Sequence, residues 1–330
     1  VASEVRHLRI AESEAGWRFD RWARAHFPDL PRSRLMKLLR TGQFRLDGRR
    51  VDAGTRVEAG QTVRVPPFGE SGPDTQARRP TRPPVAERDA RFVRSLVLHE
   101  DRDLIVLAKP AGIAVQGGTG THRHIDGMLD ALADGGERPR LVHRLDRDTA
   151  GLLVLARHAR AAKELMHAFQ QHRVRKLYWA IVLGRPDRDE GVIDLRLGKA
   201  GPRGRERMTP EAPDAKRART GFRVIARAGR IGAWVGLVPY TGRTHQLRAH
   251  CAAIGCPIMG DFKYGPEVQP RGAPEGLMLQ AIELELPHPS GGVLAVRGAP
   301  AKHFREGLAF FGLAPEPLPG SRLADWDIGD

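Results

Sequence analysis

Three short segments combine ionisable side chains with glycine-permissive turns, and any chemistry this chain performs should reside there. In LVHRLDRDTAGLLVLAR, residues 141–157, Asp146 sits between Arg144 and Arg147 in a short link leading into an apolar run. A carboxylate among guanidinium groups is stabilised as the anion and fixed in place, and such a group can serve as nucleophile or base. Asp146 and Asp148 could instead only organise the turn before Gly151. They could also hold a divalent cation, a reading that the dense positive charge nearby disfavours. In VPYTGRTHQLRAHCAAIGCPIMGDFKYG, residues 238–265, Thr241-Gly242-Arg243-Thr244 is a turn that delivers an arginine to the start of a helix. A buried Arg243 would need a carboxylate partner, and Asp146 is the natural one. His245, His250, Cys251 and Cys256 are zinc-type ligands, but their spacing matches no closed structural site; no metal is expected. In RKLYWAIVLG, residues 175–184, Tyr178 lies on a strand, either as ordinary core or as a ring that stacks on a base.

The elements that must position these groups follow from the hydrophobic pattern. DLIVLAK, GLLVLAR, YWAIVLG, TGFRVIA, AWVGLVP, LQAIELEL and GVLAVR predict strands, and ARAAKELMHAFQQ, HQLRAHCAAIG and AKHFREGLAFFG predict helices. Strand-rich stretches without regular strand–helix alternation predict an α+β domain over residues 91–312 rather than a doubly wound parallel sheet. Residues 67–90, proline-rich and poor in apolar side chains, read as a flexible linker. Ahead of it, residues 16–66 form a compact basic unit with 12 Lys and Arg against 5 Asp and Glu. Phe19, Trp22, Ala23 and Phe27, then Leu35, Leu38 and Leu39, recur at helical spacing, Gly42 is placed as a stop, and an Asp47-Gly48 turn joins two short strands. The tail, residues 313–330, is proline-rich, then acidic, and is expected to add little to the core.

Charge narrows the partner. The 54 Lys and Arg outnumber the 39 Asp and Glu, for a formal net charge of +15. A field of that sign favours a polyanion, nucleic acid being the commonest, and the predominance of Arg suits planar contact with phosphates and bases. Two cysteines cannot build a disulfide framework in a chain of this size, and no apolar run is long enough to span a bilayer, so the reading is a soluble, cytoplasmic protein. No nucleotide-cofactor fingerprint or P-loop is present in the sequence.

HRLDRDTAGLL, KLYWAIV, TGRTHQLR and GDFKYG together resemble the RluA-type family of ribosomal large-subunit pseudouridine synthases. LIVLAKPAGIAVQGGTGTH is similar to the segment that opens that family's catalytic domain, and MLQAIELELPHP completes the series. VQGGTG and VHRLDRDTAG resemble the C-type branch. Ala150, where a serine is usual, and Gln116, where a histidine is common, depart from the pattern and bear on substrate fit. The resemblance implies a catalytic domain with a mixed, mainly antiparallel sheet. It also implies cofactor-free isomerisation of uridines in structured RNA, ribosomal RNA first and transfer RNA second, by a monomer. Asp146 would be the essential carboxylate, acting as nucleophile or as base. Arg243 would pair with it, Tyr178 would stack on the uracil, Leu279 would wall the pocket, and Arg144 would insert into the RNA. His143 would support the loop, and Lys109 is grouped with the RNA contacts. The leading unit resembles an S4 RNA-binding domain, which implies that Arg32, Arg34, Lys37, Arg40 and Arg45 face phosphates; the charged segment 198–220 would be a phosphate-gripping hairpin. Two competing readings are an RNA-binding assembly factor without chemistry and a metal-dependent nuclease using Asp146 and Asp148.

Overall fold

The run Ala150–Ala156 is buried at all 7 positions, although its side chains must alternate between two faces. Such a strand belongs inside a sheet covered on both sides. It lies there in the computed structural model, which describes residues 5–67, 84–118, 121–202, 206–266, 269–315 and 318–326, the side chains of 32 and 33 excepted. The chain divides into two compact units, Val1–Arg82 and Pro83–Asp330.

In the first unit, strands β1 (Arg6–Arg9), β2 (Arg45–Leu46), β3 (Arg49–Arg50) and β4 (Thr62–Val65) form an antiparallel sheet in the order β1-β4-β2-β3. Helices α1 (Phe19–His26) and α2 (Arg32–Arg40) bury Phe19, Trp22, Ala23, Leu35, Leu38 and Leu39 in one cluster with Phe44, Val57, Val63 and Val65. The helical period that buries those leucines leaves Arg34, Lys37 and Arg40 exposed, and Arg45 on β2 is exposed as well. The side chain of Arg32 lies outside the described residues. Asp47 and Gly48 both take positive φ, 48° and 76°, the geometry of a two-residue hairpin turn. The unit starts before residue 16, because β1 pairs with β4 from Arg6↔Val65 to Arg9↔Thr62. RHLR carries one half-buried leucine, too little alternation to read as a strand.

The second unit opens with α3 (Glu87–Ser95), so helix replaces the end of the expected linker; the stretch 68–83 lies outside the described residues. Its strands are β5 (Val97–Glu100), β6 (Leu104–Lys109), β7 (Arg140–Leu141), β8 (Ala150–Ala156), β9 (Arg175–Leu183), β10 (Glu190–Ala200), β11 (Arg207–Thr209), β12 (Lys216–Ala228), β13 (Gly232–Pro239), β14 (Leu279–Pro287) and β15 (Val293–Arg297). They form a mixed sheet of order β11-β10-β12-β13-β9-β14-β8-β6-β5, with β7 on β8 and β15 on β14. Helices α4 (Ile125–Met128), α5 (Ala159–Gln170), α6 (Gln246–Ala253) and α7 (Lys302–Phe310) complete an α+β domain. Of the strand pairs, β14 with β8 is parallel and the others are antiparallel. Among the described residues, no helix is long and apolar enough to cross a membrane.

The parallel pair depends on a glycine. Gly151 has φ +112°, and a Cβ there would lie 2.1 Å from the carbonyl oxygen of Ala281, its partner in register. Gly151→Ala is therefore expected to destabilise the domain by at least about 3 kcal/mol through strain and backbone clash together. Urea unfolding of the variant measures this, and a midpoint equal to wild type would show that the two strands can separate freely.

The tail does more than the sequence suggests. Leu323 and Trp326 are buried against the sheet. Trp179 Nε1 donates to the Ser321 carbonyl (3.0 Å), and Arg175 Nη2 donates to those of Leu323 and Trp326 (3.3 and 3.2 Å). Two isolated apolar residues in a proline-rich segment give no period, so only the fold reveals that they close the core.

Candidate active site

Asp146 lies in the loop between β7 and β8, and that loop is fixed on both sides of it. Before it, Leu145 is buried in the core, and His143 Nε2 accepts a hydrogen bond from the Val154 amide (2.8 Å) while its ring stacks on Phe169. After it, the Arg147 carbonyl accepts from Lys109 Nζ (3.0 Å) and from the Gly112 amide (3.0 Å). Lys109 also donates to the carbonyls of Pro110 (2.9 Å) and Ile113 (3.0 Å). Its three N–H donors are thus matched by three carbonyls, and it is 1% exposed. Lys109 is consequently not an RNA-facing cation: it staples the segment after β6 to the Asp146 loop. Burial lowers its basicity to about 8, against the attraction of Asp148 and Asp146.

The cavity above Asp146 measures about 530 Å³. Tyr178 on β9 and Leu279 on β14 line it, as do Arg144, Lys176, His245 and Arg248. Burial, and then the Asp146 charge, push the Tyr178 phenol above its usual range, so it stays protonated. Arg144 is exposed beside Asp146.

The cation that faces Asp146 is Arg248, not Arg243. Arg248 Nη1 stands 3.8 Å from Asp146 Oδ2, and the same guanidinium makes a bidentate pair with Asp261, both bonds 2.7 Å. Arg248 and Asp261 are both buried. Asp261 also accepts from the amides of Lys263 and Tyr264, so its charge is satisfied four times. Arg243 is exposed, and its Nε donates to the Arg217 carbonyl (3.2 Å). Its turn is held by Gln246, whose Oε1 accepts from Thr241 Oγ1 (2.7 Å) and the Arg243 amide (3.0 Å), so Arg243 lines the rim without reaching the carboxylate. A signal for Arg248 existed: an arginine among the apolar residues of QLRAHCAA must be paired if buried, and GDFKYG supplies the aspartate.

His245 also approaches Asp146, with Nε2 3.9 Å from Oδ2, and its Nδ1 lies 3.0 Å from the Tyr264 hydroxyl. It adopts φ +50°, a conformation non-glycine residues rarely take outside special sites. Burial lowers its basicity against the pull of Asp146. The zinc-type set does not converge: Cys251 and Cys256 are free and buried. Among the described residues, three ligand atoms come within 4.8 Å of one another at Asp101, Asp103 and His288, none of which lines the cavity. These three are already engaged by His99, His158, Ser290 and each other through hydrogen bonds.

His143 gives the site a pH dependence. Burial, and then the charge of Lys176, depress it to about 3 from an ordinary 6.5, and its neutral Nε2 is needed to accept from Val154. A group depressed on folding contributes stability that is complete above pH 6.5 and is lost as pH falls toward 3. His143→Gln, which keeps an acceptor but does not titrate, is expected to flatten the fall in urea midpoint across that window. Parallel curves for variant and wild type would remove His143 from the acid response.

Residues 103–253 match the RNA pseudouridylate synthase family. The chain is 32% identical over 294 residues to ribosomal large subunit pseudouridine synthase C of Vibrio cholerae serotype O1, covering 88% of this chain and 91% of that protein. It is 37% identical over 288 residues to the mitochondrial RNA pseudouridine synthase 4 of Arabidopsis thaliana, covering 74% of this chain and 59% of that protein. Among solved structures, human RNA pseudouridylate synthase domain containing 4 superposes with a TM-score of 0.58 at 28% identity, covering 68% of this chain and 97% of that one.

Proposed function

Since the chain belongs to the RluA-type family of RNA pseudouridylate synthases, we propose that it isomerises selected uridines of large-subunit ribosomal RNA, with Asp146 as the essential carboxylate. One observation carries the assignment: Asp146 stands in a cavity of about 530 Å³, its Oδ2 flanked by Arg248 at 3.8 Å and His245 at 3.9 Å. A guanidinium and an imidazole face one oxygen of the carboxylate and leave the other open to a nucleoside. The reaction cleaves the N1 glycosidic bond, turns the uracil and rejoins it through C5, so it is redox-neutral and consumes no second substrate. The target base must leave its stack, at a cost of a few kcal/mol. Arg144, exposed at the rim, is suited to fill the vacated position. Tyr178, held protonated, stacks on the uracil against the wall formed by Leu279, while Arg248 faces Asp146 as its counter-charge.

The first unit serves as an S4-like RNA clamp in this reading, with Arg34, Lys37, Arg40 and Arg45 on its exposed face. Contacts of that kind set affinity and its salt dependence rather than the choice of uridine. The charge of +15 favours a nucleic acid, and the similarity to a ribosomal large subunit pseudouridine synthase favours ribosomal RNA in particular. The enzyme acts as a cytoplasmic monomer. Carbodiimide-dependent primer extension on ribosomal RNA from cells with and without the chain tests the proposal. Discrete stops that disappear without it are expected; stops lost only from transfer RNA would reassign the substrate, and no lost stops would overturn the assignment.

A further inference from the structure

The hydrogen bonds around His245 favour one tautomer. The Tyr264 hydroxyl accepts from the Met208 amide (2.9 Å), on strand β11, and lies 3.0 Å from His245 Nδ1. A phenol has one proton to give. If that proton goes to Nδ1, every group in the chain is matched, and His245 carries its own proton on Nε2, the nitrogen that faces Asp146 Oδ2. In the other tautomer Nε2 would turn a lone pair on the carboxylate, and Nδ1 and the phenol would each have a proton for one contact. The ring is further fixed by an edge contact with Tyr264, the centroids 5.6 Å apart at 87°. Its backbone is held at φ +50° immediately before α6, the helix that carries Arg248. Asp261 ties the system together, since it pairs with Arg248 and caps the amide of Tyr264.

Resting on the assignment of Asp146 as the reacting group, we propose that His245 is a positioning residue: Tyr264 directs its Nε2–H at Asp146 Oδ2, so that Oδ1 is the oxygen presented to the nucleoside. The 3.9 Å separation is longer than a hydrogen bond, as catalytic contacts often are before substrate closes the site. The chain also connects β11, at the base of the charged hairpin, to the carboxylate through Tyr264.

The geometry supplies a test that separates this role from a backbone one. At φ +50° asparagine is better tolerated than glutamine, whereas glutamine's amide nitrogen reaches the place of Nε2 and asparagine's does not. Single-turnover rates and RNA affinities are compared for wild type, His245→Gln, His245→Asn and Tyr264→Phe, using a ribosomal RNA fragment that contains a mapped target. Loss of a hydrogen bond to a charged group predicts a rate about 10- to 100-fold lower for His245→Asn, recovered to within about 3-fold by His245→Gln, with affinity unchanged in both. Tyr264→Phe, which leaves the His245 backbone untouched and frees only the Met208 amide besides, should fall toward the Asn value. Asparagine equal to or better than glutamine, or Tyr264→Phe at the wild-type rate, overturns the proposal. Inactive wild type, or an active Asp146→Asn, would instead refute the assignment on which it rests.

Discussion

Asp146→Asn lowers the single-turnover rate of uridine isomerisation by about 10⁴-fold or more, the scale expected when a nucleophile or base is replaced by an uncharged isostere, while RNA affinity is unchanged. The separation follows from the structure. The Asp146 loop is held by Leu145, by the His143–Val154 bond and by the Lys109–Arg147 bond, none of which involves the Asp146 side chain. The amide fits the same space, so the fold and the exposed Arg144 remain. Loss of the anion removes the group that Arg248 and His245 hold. Release of tritium from C5-labelled uridine in RNA measures the rate, and filter binding measures affinity. A variant within tenfold of wild type would show that another group performs the chemistry, with Asp146 left as a turn residue.

Arg248→Ala and Arg243→Ala should differ in both stability and rate. Removing Arg248 strands the Asp261 charge in the interior, and breaking a buried pair from one side costs about 3–5 kcal/mol. It also removes the cation 3.8 Å from Asp146, for which a loss of about 100-fold or more in rate is expected. Arg243 is exposed and hydrogen-bonded to a carbonyl, so its alanine variant changes stability by no more than about 0.5 kcal/mol and acts through RNA affinity. The double variant Arg248→Met/Asp261→Asn separates the two effects of Arg248. It restores neutrality and keeps caps for Lys263 and Tyr264, so most of the stability returns while the rate stays low. Recovery of the rate in the double variant would mean that Arg248 acts on the fold alone. An Arg243→Ala variant as damaged as Arg248→Ala would return the pairing to the turn.

Much of this molecule is legible in the chain. Apolar runs such as GLLVLAR and AWVGLVP are strands because each is buried on both faces of a covered sheet. ARAAKELMHAFQQ is a helix because Ala161, Ala162, Leu165 and Ala168 recur on one side, with His158 capping the Ala161 amide. Strand β10 and helix α3 escape such reading. EGVIDLRLGKA exposes alternate positions and mixes charge into its pattern, and α3 adjoins a proline-rich seam whose composition dominates the window.

Hydrophobic pattern and composition by themselves determined the α+β class and the preference for a polyanion, because burial and charge are summed over neighbouring residues. The grouping of Asp146, Tyr178 and Leu279 was implied by the resemblance of the ordered motifs to the RluA-type family. Only the tertiary structure decided which arginine faces Asp146, that Lys109 is a buried staple, and that Leu323 and Trp326 close the core. Each of those depends on where a side chain meets atoms distant in sequence. Between two arginines five residues apart, a turn held by Gln246 and a carboxylate at position 261 make the choice.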